Sequence, residues 1–252
     1  MKTTLEVLFA PAEFSALPSR DLSQTVCVVF DVLRATSSMV TALAHGAAAI
    51  IPVEEIPEAL AWRQRQPEIL LAGERHGVRI QADQTGSIAF DLGNSPREFT
   101  QERVQGKTIA MTTTNGTRAL RACTHARVVL AGSFLNLQAT AGFIRRENPA
   151  DLLIICSGTF EQAAYEDMLG AGALCDLLWD HYGKGAVADS AWMARRLYLL
   201  EQSDLLAALG YARNGRRLLS QAELRDDVAF CLQRDKFDLV AHLDEQGRVQ
   251  RA

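Results

Sequence analysis

Residues 28–38 read VVFDVLRATSS: an apolar run stops at Asp31, passes Arg34 and ends in Thr36, Ser37 and Ser38. Hydroxyls and an arginine at a helix start suit an oxyanion. A helix N-terminus leaves backbone N–H groups without partners, the peptide dipoles add partial positive charge there, and the guanidinium fork matches phosphate or carboxylate. Asp31 does not fit a pure anion site. A carboxylate beside a phosphate repels it unless it binds a divalent cation, attacks phosphorus or carries a proton. Taken alone, the segment is equally compatible with Asp31 and Thr36 simply capping a helix.

A second turn repeats the pattern. In TTTNGTRAL (112–120), after the apolar run KTIAM, the residues Thr113, Thr114, Asn115, Thr117 and Arg118 surround Gly116, and Asn-Gly suits a tight turn that a ligand can approach closely. Two such turns, expected on neighbouring strands, make a multi-oxygen oxyanion the favoured ligand. Other polar turns follow other apolar runs: GERHG with Glu74 and Arg75, GNSPRE with Asn94, Ser95 and Arg97, SFLN with Ser133 and Asn136, and SGT at 157–159. Glu166 and Asp167 stand in YEDMLGAGAL, as a solvated face or as functional acids. Gly170 and Gly172 in the same segment are unusual inside a helix, where glycine costs about 1 kcal/mol against alanine, so close packing or a ligand is expected there.

The elements that must position these turns follow from periodicity. The runs at 5–10, 25–30, 48–53, 68–73, 107–112, 126–132 and 151–158 read as strands, with helices expected at 35–45, 55–66, 116–124, 135–147 and 161–182. Alternation of this kind predicts an α/β fold with a mainly parallel, doubly wound sheet in α/β/α layers, whose ligands sit outside the carboxyl ends of the strands. We expect residues 1–188 to form this core. Residues 189–252 read as a helical C-terminal segment with a closing edge strand in DLVAHLDEQGRV, Gly247 in its turn, and any second lobe interleaved with the first as part of one compact unit. The apolar leucines of that segment leave a homo-oligomer open.

Composition excludes several classes. Hydrophobic residues make up 48% and charged residues 22%, and the net charge of −4 carries no basic excess to attract nucleic acid or an anionic membrane. No apolar run reaches the roughly 18 residues a membrane span needs, and the N-terminus lacks the basic-then-apolar plan of a secretion signal, so a soluble cytoplasmic protein is expected. The five cysteines are scattered without C-x-x-C spacing and read as reduced, buried thiols.

Known phosphate-handling patterns fit poorly. Arg75-His76-Gly77 matches the core of the histidine phosphatase signature, but Gly73 stands where that family has Leu and no other histidine has matching context. A haloacid dehalogenase site wants a second aspartate where Leu33 stands; a tyrosine-phosphatase loop after Cys156 wants an arginine where Gln162 stands; no Walker or G-x-G-x-x-G turn is present.

The ordered set DVLRATSS, GER, GNSP, TTNGTRAL, GSFLN, CSGT and YEDMLGAGAL resembles the 2-phosphosulfolactate phosphatase family, over roughly residues 5–175. The resemblance implies a Mg²⁺-dependent phosphatase acting on phosphate esters of 2-hydroxy acids, 2-phospho-3-sulfolactate foremost, in coenzyme M biosynthesis. It is consistent with Asp31, Glu74, Glu166 and Asp167 as metal ligands, with Asp31, Glu74 and Asp167 also candidate catalytic groups, and with Arg34, Thr36, Ser37, Arg75, Asn94, Ser95, Thr113, Thr114, Asn115, Gly116, Thr117, Arg118, Ser133 and Asn136 meeting a small anionic phospho-acid. Whether Asp31 meets the metal or phosphorus stays open at this level. The rival readings are a non-catalytic binding module for a phosphorylated or sulfonated metabolite, a different hydrolase or lyase acting on a phospho-acid, and a histidine-type phosphatase using Arg75-His76-Gly77.

Overall fold

TVCVVF is buried at every residue, as a strand covered on both faces must be. Val26, Val28 and Phe30 point into one apolar cluster, Cys27 and Val29 into another, and DLLIIC divides its residues between the same two clusters. The two faces of the sheet thus carry separate helical layers. A computed structural model describes residues 3–14 and 16–252. Its strands are β1 Thr4–Leu8, β2 Thr25–Phe30, β3 Ala49–Val53, β4 Leu70–Arg75, β5 Val78–Arg79, β6 Thr108–Thr112, β7 Val128–Gly132, β8 Asp151–Cys156, β9 Ala186–Val187, β10 Ala241–Leu243 and β11 Val249–Arg251.

They form one sheet in the order β5-β4-β6-β3-β11-β10-β7-β2-β8-β1-β9. Within it, β4-β6-β3 and β7-β2-β8-β1-β9 are parallel blocks. Every strand run expected from the pattern is present, and the fold is α/β with a helical C-terminal part. The closing run is not an edge strand. It forms the antiparallel hairpin β10–β11 in the middle of the sheet, where Ala241 and His242 pair with Ala131 and Leu130 of β7 and Val249 pairs with Ile50 of β3. The reason is hydrogen bonding. Without the hairpin, β3 and β7 would each present a row of unpaired backbone groups inside the protein.

The same insertion corrects a second expectation, since β2 and β6 are separated by β3, β11, β10 and β7. Their turns meet anyway, because the helices that follow them, Ala35–Ala44 and Gly116–Ala122, share one apolar layer. The helix expected at 161–182 is two helices, Tyr165–Leu177 and Trp179–Tyr182, preceded by an irregular loop. Close packing explains its glycines: a Cβ on Gly170 would lie 2.7 Å from the Phe30 ring, and one on Gly172 only 2.1 Å from the Ala194 carbonyl oxygen. Helices Asp189–Glu201, Leu205–Leu209, Arg213–Leu219 and Arg225–Cys231 complete the chain before the hairpin. All five cysteines are buried and unpaired. No helix among the described residues is long and apolar enough to cross a membrane.

Candidate active site

Asp31 ends the apolar run of β2 and is held from both sides. Its Oδ1 accepts a 3.0 Å hydrogen bond from the Ala35 N–H. The Thr36 hydroxyl accepts from the Asp31 N–H and donates to the Asp31 carbonyl, while the Ser37 hydroxyl donates to the Val32 carbonyl. These hydroxyls therefore tie the turn to itself. Thr36 and Ser37 are fully buried and do not face the cavity described below, contrary to the expectation that they meet an oxyanion. Ser38 reaches further and donates to the Asn94 carbonyl, joining this turn to GNSP.

The second turn is stapled by Glu74. Its Oε1 accepts from both the N–H and the hydroxyl of Thr114, and its Oε2 accepts from the Gly77 N–H at 2.6 Å. One carboxylate thus holds the tips of β4 and β6 together. Thr113 and Thr117 bond to each other within the turn. Gly116 is required by proximity: a Cβ there would lie 2.5 Å from Asp31 Oδ2 and 2.7 Å from the Ala35 methyl.

Between these turns lies a small cavity of about 50 Å³. Asp31, Arg34, Glu74, His76, Asn94, Thr114, Asn115, Thr159, Phe160, Asn214 and Arg217 contribute to its wall. Asn115 donates from its side-chain nitrogen to the Phe160 carbonyl, which leaves its amide oxygen without a partner, and the Asn94 amide oxygen is likewise buried and unpaired. Burial pushes the Asp31 carboxyl up to about 6, against the Ala35 N–H and aided by the nearby Glu74 carboxylate.

Behind Asp31, Asp167 accepts from the Val32 N–H through one oxygen and from the Gly158 N–H and Ser157 hydroxyl through the other. Glu166 accepts from the Asn214 side chain, which also bonds Thr159. Burial, together with the neighbouring Asp31 charge, raises both of these carboxyls. Neither faces the cavity. Among the described residues no three His, Cys, Asp or Glu side chains gather to hold a metal, so the four acids Asp31, Glu74, Glu166 and Asp167 do not form one cage.

The arginines are placed differently from the sequence expectation. Arg34 does line the cavity, but its guanidinium is taken up by Asp227 at 2.7 Å and by the Gly77 carbonyl at 2.7 Å. The wholly buried Asp227 also accepts from the Ser95 hydroxyl and from Arg97 Nε, so Ser95 faces a protein carboxylate rather than a ligand. Arg75 bonds the Glu74 carbonyl and Thr112, and Arg118 pairs with Glu161; neither lines the cavity. Ser133 and Asn136 form a reciprocal cap at the end of β7, and Asn136 also reaches the Leu239 carbonyl; they serve the backbone there. His76 stands at the β4–β5 hairpin turn with φ 57°, on the cavity rim, and no other histidine among the described residues lines the wall.

Sequence reasoning missed Asn214, Arg217 and Asp227. The only local signal was Asn214-Gly215 interrupting a helical, arginine-rich run. Nothing local says which face of such a helix turns inward.

Fold and cavity together define an α/β protein with a polar pocket at the carboxyl ends of its parallel strands, where such sheets hold small molecules. The family model for 2-phosphosulpholactate phosphatase matches residues 13–246, and the chain belongs to that family. It is 38% identical to a "Probable 2-phosphosulfolactate phosphatase" of Caldanaerobacter subterraneus subsp. tengcongensis, over 91% of this chain and 92% of that protein. Proteins given the same description match at 36% in Pseudothermotoga lettingae, over 98% of this chain and 99% of the relative, and at 36% in Clostridium acetobutylicum, over 84% and 87%.

Proposed function

We propose that the chain hydrolyses the phosphate ester of a 2-hydroxy acid, 2-phospho-3-sulfolactate to 3-sulfolactate and phosphate, with Mg²⁺ as cofactor. The relatives' descriptions support the substrate. The observation that carries the site is a set of buried oxygens on residues lining the cavity: the Asp31 carboxylate and the unpaired amide oxygens of Asn94 and Asn115. Oxygen donors of this kind suit a hard divalent cation, and these three residues would hold it. When bound, Mg²⁺ would neutralise charge on the phosphoryl oxygens.

The chain's own residues do the positioning. The Ala35 N–H fixes one oxygen of Asp31, and Gly116 allows the second turn to close on the other. Glu74 keeps Thr114 and Gly77 at the wall with both carboxylate oxygens engaged, which makes it a positioning residue in this reading. The Asn115–Phe160 hydrogen bond ties the Phe160 loop to the cavity wall. Phosphate release from 2-phospho-3-sulfolactate and other 2-phospho-hydroxy acids, with Mg²⁺ and with EDTA, tests the proposal. Metal-dependent release supports it; no release from any ester by folded, Mg²⁺-loaded protein sinks it and favours a binding module instead.

A pH prediction follows from Asp31. Its carboxyl in the folded protein lies at about 6, above the ordinary 3.8, so between these values the folded chain keeps a proton that the unfolded chain has released. That contribution to stability is fully present below 3.8 and is lost as pH rises through about 6. The melting temperature of metal-free protein, relative to an Asp31→Asn variant, should therefore fall across that window. Mg²⁺ should restore it at neutral pH, because cation and proton compete for the same carboxylate. A flat difference across the window would remove Asp31 from this role.

A further inference from the structure

The cavity wall carries two guanidinium groups in opposite states. Arg34 is neutralised internally by Asp227 and also donates to the Gly77 carbonyl. Arg217, from the helix Arg213–Leu219, makes no ion pair or side-chain hydrogen bond among the described residues, and its Nε is buried without an acceptor. A buried donor on a cation is expensive to leave unmade, and an external anion is the partner that would satisfy it. Two carboxylates of this region are already taken: both oxygens of Glu74 are occupied by Thr114 and Gly77, and Asp227 serves Arg34, Ser95 and Arg97.

Arg217 reaches the cavity from a different element than Asp31. Asp31 stands where the second turn closes on the first, with Gly116 against its carboxylate. Arg217, on its helix, packs against the β4–β5 hairpin, its guanidinium 3.7 Å from where a Cβ on Gly77 would be. The Asp31 carboxylate and an unpaired cation therefore line one cavity from different elements. We propose that Arg217 receives the second anionic group of the substrate, the carboxylate or sulfonate borne beside the phosphate ester, and so selects acids over neutral-tailed esters. This rests on the phosphatase reading above. The planar fork explains why arginine rather than lysine would stand there, since it can meet two oxygens of one oxyanion at once.

The test compares Arg217→Gln and Arg217→Lys with wild type on 2-phospho-3-sulfolactate, on 2-phospholactate, which lacks the sulfonate, and on p-nitrophenyl phosphate. Arg217→Gln should lower kcat/KM for the sulfolactate ester by about 10- to 100-fold, mainly through KM, with the p-nitrophenyl ester changed less than about 3-fold. Arg217→Lys should recover part of the loss. A loss on 2-phospholactate equal to that on the sulfolactate ester assigns the contact to the carboxylate; a loss confined to the sulfolactate ester assigns it to the sulfonate. Equal losses on all three esters place Arg217 on the phosphoryl group and overturn the proposal, as does no loss on any. Calorimetric binding of unphosphorylated 3-sulfolactate separates the two readings. If wild type hydrolyses no ester, the phosphatase reading fails, while binding of sulfolactate by wild type and not by Arg217→Gln still upholds the anion receptor, and equal binding or none by both rejects it.

Discussion

Asp31→Asn should lower turnover of the phosphate ester by roughly 10³-fold or more, the scale expected when a principal catalytic group is removed. The substitution keeps shape and keeps an oxygen to accept from the Ala35 N–H, so the turn should stay in place. What it removes is a negative charge buried beside Glu74, Asp167 and Glu166, which the fold itself holds at a penalty. The variant should therefore melt no lower than wild type at neutral pH, and inactivity cannot be traced to unfolding. Calorimetric titration of Mg²⁺ then divides the remaining roles. Loss of turnover together with loss of Mg²⁺ binding makes Asp31 a ligand of the cation. Loss of turnover with Mg²⁺ binding kept places the carboxylate on phosphorus or on the attacking water. Activity within about 10-fold of wild type would return Asp31 to a helix cap and remove it from the chemistry.

Asp227→Ala should destabilise the protein by about 3–5 kcal/mol, because it strands the Arg34 guanidinium in the interior without a counter-charge. The pair is almost wholly shielded from solvent, at 3% and 0% exposure, so water does not replace the lost partner. Ser95 and Arg97 lose an acceptor at the same time. Denaturant unfolding measures the effect. A double variant, Arg34→Met with Asp227→Leu, should be markedly more stable than Asp227→Ala alone, since removing both charges leaves neither uncompensated. The double variant should still lose activity, for Arg34 also holds the Gly77 carbonyl and thereby the wall on which Arg217 rests. A loss of under about 1 kcal/mol in Asp227→Ala would show that Arg34 finds another partner and that Asp227 is no keystone.

Much of this architecture is legible in the chain before folding. Strand runs such as TVCVVF announce themselves because a strand buried on both faces leaves no room for polar residues, and the helices between them carry a periodicity that local geometry enforces. The polar turns at their ends are equally readable, and Asp31, Glu74, Asn94, Thr114 and Asn115 all stand on the cavity wall. The hydroxyls are the instructive failure. Thr36 and Ser37 have the right chemistry for an oxyanion, yet a hydroxyl at a turn also finds backbone partners within five residues, and those are the bonds formed here.

Sequence alone therefore determined the α/β alternation, the strand ends at which the polar turns gather, and Asp31 as the carboxylate that did not fit a simple anion turn. Those are consequences of period and local propensity. Tertiary structure decided that the last residues enter the sheet between β3 and β7, that Arg34 is silenced by a carboxylate 193 positions away, and that Arg217 is left at the cavity unpaired among the described residues. Charges this far apart in the chain carry no mark of their pairing, because which cation is neutralised and which stays free depends on the faces that the packed helices turn inward.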